Sequence, residues 1–148
     1  MKRIAIFGVA LTLSLGLASC GNSQNQKSAQ AATNKTTVSS ESIAKNVNTT
    51  EFKQLIETKK NGVILDVRTP QEVAQGAIVG SVHMNFYAPD FKEQLKTLDK
   101  NAPVMVYCAV GGRSGSAMQV LNSMGFKEVY NLAGGINAWR QQGLPTGK

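Results

Sequence analysis

Cysteine and histidine are scarce in this chain of 148 residues: there are two cysteines, Cys20 and Cys108, and a single histidine, His83. One histidine and one cysteine within the same domain do not make a metal site, so no metal is expected and no cofactor is implied. Acidic residues are few as well, 9 against 16 Lys and Arg, which leaves a formal charge of +7. That excess is spread along the chain. Lys2, Arg3, Lys27, Lys35 and Lys45 precede Thr49, and Thr49 to Lys148 holds 11 basic and 8 acidic residues, a net of +3 with no basic run. Nothing there calls for nucleic acid. No apolar run reaches the roughly 20 residues of a membrane-spanning helix, and no internal repeat is visible.

What the N-terminus does contain is a leader. Lys2 and Arg3 are followed by Ile4 to Leu17, an uncharged and mostly apolar run of 14 residues. A basic start and a short apolar stretch read as a secretory signal over residues 1–19 rather than as an anchor helix. Leu17-Ala18-Ser19-Cys20 closes it and resembles the bacterial lipobox, which implies that Cys20 is lipidated and becomes the mature N-terminus. The expected location is therefore outside the cytoplasm. The protein would be a membrane-anchored lipoprotein facing the periplasm or the cell exterior. Gly21 to Asn48 is rich in Ser, Thr, Asn, Gln, Ala and Lys and poor in large apolar side chains. Such a segment buries too little surface to offset its ordering entropy, so it reads as a flexible polar tether.

Thr49 to Lys148 is long enough for one hydrophobic core. Phe52, Leu55 and Ile56 have helical spacing within Glu51 to Lys59, and Asn61-Gly62 turns the chain. Val63 to Val67 is a short apolar run of the kind found in buried parallel strands. Thr69-Pro70-Gln71-Glu72 supplies an N-cap, a Pro at the first helical position and a capping-box Glu. Ser81 to Asn85 reads as a strand, Phe91, Leu95 and Leu98 as a helical face, and Val104 to Tyr107 as another buried strand. Ala117, Val120, Leu121 and Met124 mark a helix ending at Gly125; Val129 to Leu132 is a further strand, and Ile136 to Gln142 a last helix. Alternating strands and helices imply an α/β fold with a mainly parallel sheet covered on both faces.

The segment with chemical content is Tyr107-Cys108-Ala109-Val110-Gly111-Gly112-Arg113-Ser114-Gly115. It places Cys108 at the carboxyl end of a buried strand, where open parallel sheets bind ligands. The glycines let the backbone curl, so that successive N–H groups can face inward, and the following helix adds positive potential at its N-terminus. Arg113 adds a full charge on a forked donor. Each of these favours a thiolate over a thiol, and the thiolate is the nucleophile. The candidate site is thus Cys108 as nucleophile with Ala109, Val110, Gly111, Gly112, Arg113 and Ser114 as the anion-holding loop. With Cys20 committed to lipid, Cys108 is a leftover thiol in an exported domain, which points to reactivity or an intermolecular bond. The competing reading is a small buried hydrophobe in a structural turn.

Cys108 to Gly115 resembles the C-x-x-G-x-R-S-G active-site loop of single-domain rhodaneses. Leu65-Asp66-Val67-Arg68-Thr69-Pro70-Gln71-Glu72 is similar to the D-V-R-x-P-x-E signature of that family, and Leu132-Ala133-Gly134-Gly135 to Trp139 to its L-x-G-G-x-x-x-W signature. The resemblance implies a rhodanese-like three-layer sandwich and a sulfurtransferase that works through a persulfide on Cys108. Its substrates would be a small anionic sulfur donor such as thiosulfate and a thiol or cyanide acceptor, handled by a monomer without a cofactor. Asp66 and Arg68 are expected to support the loop structurally, and Trp139 to lie in the core. Two departures stand out: Ala77 occupies the place of a His that the family often has, and Ala109 that of a frequent Arg after the nucleophile. Two other functions fit the scaffold. One is a non-catalytic binding module of the cell envelope, against which the presence of Cys108 speaks. The other is a phosphatase or arsenate reductase, whose loops resemble H-C-x5-R; here four residues separate Cys108 from Arg113 and Tyr107 precedes the cysteine.

Overall fold

The computed structural model describes residues 42–147. The expected signal over residues 1–19, the lipidation site Cys20 and the tether up to residue 41 lie outside the described residues. In chain order the elements are β1 (Ile43–Val47), α1 (Thr49–Thr58), β2 (Val63–Asp66), α2 (Pro70–Val73), β3 (Ala77–Ile78), β4 (Val82–His83), α3 (Phe91–Leu95), β5 (Val104–Tyr107), α4 (Gly112–Ser123), β6 (Glu128–Leu132), α5 (Gly135–Gln141) and β7 (Thr146–Gly147).

Five strands form one sheet in the order β1-β6-β5-β2-β4, and every pairing in it is parallel. Side chains alternate across a strand, and the core divides accordingly. Leu65, Val67, Val104, Val106 and Val129 point to one face, where they pack with Phe91 and Leu95 of α3 and Ala117, Met118 and Leu121 of α4. Ile64, Met105, Tyr107, Tyr130 and Leu132 point to the other, with Phe52 of α1 and Ile136 and Trp139 of α5. The fold is the α/β sandwich that the alternating pattern implies. Both faces are covered, which is why β2 and β5 read as nearly unbroken apolar runs. Trp139 lies in the core as expected, 4% exposed and edge-on to Phe52.

Two strand assignments differ from expectation. The sheet begins at Ile43, inside the segment read as tether, so the structured domain does not start at Thr49. Strand β1 runs beside β6 from Ile43 opposite Glu128 to Val47 opposite Leu132. Four of its five side chains are exposed and only Val47 is buried. It joins the sheet as an edge strand through its backbone, and a polar composition does not forbid that. The strand anticipated over Ser81 to Asn85 shrinks to Val82–His83. Beyond it the chain still follows β2, since Met84 N–H donates to Asp66 C=O at 2.9 Å and Phe86 N–H to Val67 C=O at 3.2 Å. A small antiparallel pair, β3 with β7, ties Ala77 and Ile78 to Gly147 and Thr146.

Candidate active site

Cys108 follows the last residue of β5 and continues its alternation, so its side chain joins the α3/α4 face while Tyr107 faces the opposite layer. The chain then turns through Ala109 and Val110 to Gly111, which sits at φ +97° and opens α4. A left-handed residue there is strained for anything but glycine. No side chain caps α4, so its first N–H groups remain available to the loop. The Sγ atom of Cys108 accepts from Gly111 N–H at 3.1 Å and from the Ser114 hydroxyl at 3.4 Å. Burial alone pushes the thiol pKa up. Hydrogen bonds from the Ser114 hydroxyl and from the N–H groups of Ser114, Val110 and Gly111 outweigh it and hold the value below that of an ordinary thiol. Cys108 is 1% exposed, whereas Val110 at the loop tip is 65% exposed.

The loop is held from outside by α5. Ile136 N–H donates to Cys108 C=O at 2.9 Å and Asn137 N–H to Ala109 C=O at 3.2 Å. The approach is possible because Gly135 has no side chain: a Cβ there would lie 2.4 Å from Cys108 O and 2.5 Å from Ala109 C and O. In sequence, Gly134-Gly135 belongs to the L-x-G-G-x-x-x-W signature with no stated role; in the structure, Gly135 is where α5 closes on the Cys108 backbone.

Arg113 does not present its fork to an open site. Its Nη1 and Nη2 donate to the two carboxylate oxygens of Glu72 at 2.7 and 2.6 Å, and the exposed Tyr87 ring centroid lies 5.7 Å from its Cζ. Glu72 is a partner that the reading of Arg113 as an anion-facing residue does not include. Glu72 is itself held in place from its own helix. It also accepts from Thr69 N–H at 3.1 Å and from the Thr69 hydroxyl at 2.9 Å, closing the expected capping box on α2. Arg113 first, then Thr69, brings the Glu72 carboxyl down to about 2 against a smaller opposing effect of burial. The Arg113 charge still acts on the Cys108 sulfur through space. Glu72 is thus a site residue that its capping-box position concealed.

Asp66 and Arg68 lie inside the protein, 0% and 2% exposed. Arg68 Nη2 meets Asp66 Oδ2 at 2.6 Å, and its Nη1 and Nη2 also donate to the carbonyls of Glu72 and Gly76 at 3.0 and 2.9 Å. Asp66 additionally accepts from Arg68 N–H at 3.0 Å. The pair clamps β2 to α2 and leaves Arg68 no face for a substrate. Tyr107 accepts from Ile78 N–H at 3.0 Å and shares a hydrogen bond with Ser81, and burial raises its pKa to about 12. It stays protonated and lies across the sheet from the thiol, so it is no base for Cys108. His83 is exposed rather than packed, its Nε2 2.7 Å from Arg68 O.

Of the anticipated loop residues, Ala109 is half-buried with its carbonyl engaged by α5, Gly112 opens α4 on the exposed side, and Ser114 is fully buried against the sulfur. A cavity of about 190 Å³ lined by Ile56, Ile78, Trp139 and Pro145 belongs to the opposite face and contains no loop residue. Cys108, the candidate nucleophile, is not among the residues that line it. Residues 48–142 match the family described as Rhodanese-like domain. The chain is 36% identical over 101 residues to the putative sulfurtransferase YtwF of Bacillus subtilis, covering 68% of this chain and 95% of that protein. It is 41% identical over 97 residues to the thiosulfate sulfurtransferase GlpE of Ectopseudomonas mendocina, covering 61% of this chain and 86% of that one. The crystal structure of a rhodanese-related protein from Thermoplasma volcanium superposes with a TM-score of 0.61 at 30% identity, over 70% of this chain and 97% of that one. With three signatures in order, the parallel sandwich and a cysteine cradled at the sheet edge, the chain belongs to the rhodanese-like family.

Proposed function

We propose that this protein is a rhodanese-type sulfurtransferase, with Cys108 carrying the sulfur as a persulfide between a donor such as thiosulfate and a thiol or cyanide acceptor. The observation that carries the reading is the pair of hydrogen bonds on Cys108 Sγ, from Gly111 N–H and the Ser114 hydroxyl, in a loop that holds the thiol pKa below its ordinary value. In the first half-reaction the thiolate attacks the outer sulfur of thiosulfate; a new S–S bond forms and sulfite departs with the electrons of the old one. In the second, cyanide or a thiolate attacks the terminal sulfur and the Cys108 thiolate is restored. The N–H groups that hold the thiolate are suited to hold the terminal persulfide sulfur, which also bears negative charge. A thiol 1% exposed favours a donor that presents a single terminal sulfur. Incubation with thiosulfate should add one sulfur atom to the Cys108-containing peptide, and cyanide should remove it. Cys108→Ser, nearly isosteric but without an ionisable thiol, should fold and remain unloaded. Wild-type protein that never gains the sulfur from any donor would leave the binding-module reading in its place.

The leader and Cys20 support the proposal that this enzyme is exported and held to a membrane by lipid. Expressed in bacteria, the wild type should fractionate with membranes and Cys20→Ala should not; equal recovery of the two would exclude the anchor.

A further inference from the structure

Asn131, near the end of β6, is 4% exposed, and its Oδ1 has no hydrogen-bond partner. A buried acceptor left unpaired is costly, and a leucine of similar shape would remove that cost. The amide is retained beside two other polar groups. Its Nδ2 donates to Asn46 Oδ1 at 2.7 Å and to Gly111 C=O at 3.2 Å. Gly111 is the residue whose own N–H reaches Cys108 Sγ at 3.1 Å, and it stands in the left-handed conformation at φ +97°. Its carbonyl also accepts from Gly115 N–H at 2.9 Å, which is the first turn of α4. The orientation of the Gly111 residue is therefore held at both of its polar ends: the N–H by the sulfur, the carbonyl by α4 and Asn131. Asn46 lies on β1, one residue from the buried Val47, so the edge strand reaches the catalytic loop through a side chain.

We propose that Asn131, steadied by Asn46, is a positioning residue: by holding the Gly111 carbonyl it fixes the backbone at Gly111, so that the N–H of the adjoining Val110–Gly111 peptide points at the Cys108 sulfur. The inference rests on the reading of Cys108 as nucleophile and adds a residue that touches neither sulfur nor substrate. Nδ2 supplies the hold, and the orphaned Oδ1 is the cost of keeping an amide where only its NH2 end is used. Arg113, whose charge reaches the sulfur, is paired with Glu72, whereas Asn131 bonds Asn46 and Gly111, so a change at Asn131 removes no bond of that pair.

The test is Asn131→Leu in the full chain, read by the pH dependence of alkylation at the Cys108 peptide. Mapping by peptide mass keeps Cys20 out of the measurement, and alkylation reports the thiolate whether or not sulfur transfer occurs. The expected result is a melting temperature equal to or above that of the wild type, with an upward shift of the alkylation midpoint. Alkylation near neutral pH should slow by roughly three- to tenfold, the worth of one ordinary hydrogen bond. Asn46→Ala, at an exposed position, should shift the midpoint in the same direction by less. If Asn131→Leu folds and alkylates with the wild-type profile, the proposal is overturned. If it does not fold, Asn46→Ala decides: an upward shift sustains the proposal, and a wild-type profile overturns it. Loss of the thiolate shift in these variants while the wild type fails to load sulfur would separate this positioning role from the sulfurtransferase reading.

Discussion

Gly135→Ala is the sharpest perturbation of the contact between α5 and the nucleophile's loop. The added Cβ would stand 2.4 Å from Cys108 O, where 3.0 Å is the least that real Cβ contacts show, so backbone must move by at least about 0.6 Å. All three atoms it meets belong to the main chain of Cys108 and Ala109, and no flexible side chain is available to yield. Gly135 also stands at φ +57°, a conformation that costs a residue with a Cβ about 1–2 kcal/mol. Separating the two chains lengthens Ile136 N–H to Cys108 O and Asn137 N–H to Ala109 O, now 2.9 and 3.2 Å. Leaving one such carbonyl unpaired costs about 1–3 kcal/mol. The total expected is about 2–5 kcal/mol, or a fall of roughly 10 °C or more in melting temperature for a domain of this size. Differential scanning calorimetry measures the fall, and alkylation of Cys108 measures what happens to the cradle. The displaced Cys108 carbonyl should carry the sulfur away from Gly111 N–H and slow alkylation at neutral pH. A melting point within about 2 °C of wild type together with unchanged alkylation would refute the idea that this glycine exists for the close approach.

The Arg113–Glu72 pair predicts opposite signs for its two halves. Arg113→Ala leaves an unpaired carboxylate beside an anion site and should raise KM for thiosulfate roughly tenfold, while Glu72→Gln uncovers the Arg113 charge and should lower KM; thiocyanate production at varied thiosulfate measures both, and no change in either would mean that the Arg113 charge does not reach the donor. Protein lacking residues 1–48 loses β1 and the burial of Val47, so it should be less stable by about 2 kcal/mol or more than protein lacking residues 1–41; equal melting points would show that the edge strand contributes nothing. Alkylation of Cys108 should rise with pH to a midpoint below that of an ordinary thiol. Since the folded value is the lower one, the thiolate's contribution to stability is full above the unfolded pKa and is lost as pH falls through the folded one. The stability gap between wild type and Cys108→Ala should therefore widen as pH rises through that window, and chemical denaturation at pH values on either side of it checks the sign.

Strands β2 and β5 are plain in the sequence because both of their faces are covered, which forces Ile64-Leu65 and Val104 to Tyr107 to be apolar almost throughout. The end of α4 is equally plain, since Gly125 follows the helix at φ +88°. Strand β1 is not, because an edge strand with four exposed side chains has no pattern to betray it and is specified by the free backbone edge of β6. Cys108 and its loop are legible because strand end, glycines and helix start occur within a few residues of one another. The partners of the loop are not: Glu72, Gly135 and Asn131 come from three other segments, and only the closed sheet brings them together. Glu72 satisfies a local rule as a capping residue, and Gly135 another as a helix break, so neither sequence context demands a second role.

The groups that hold the Cys108 thiol below its ordinary value are the Ser114 hydroxyl and the main-chain N–H groups of Ser114, Val110 and Gly111, so the cradle is mostly backbone. A peptide N–H survives any substitution except proline at its own position. The polarity of the cradle is therefore nearly immune to point mutation, and its failure modes are geometric. A mutational scan for lost sulfur transfer should map away from charge and polarity in the loop itself and onto the sites that set backbone path: Gly111, Gly135, and the side chains that hold the loop from behind. Substitution at Ala109 and Val110, whose side chains contribute no donor to the sulfur, would then alter the loop's outer surface while the hydrogen bonds to Cys108 beneath it stay the same.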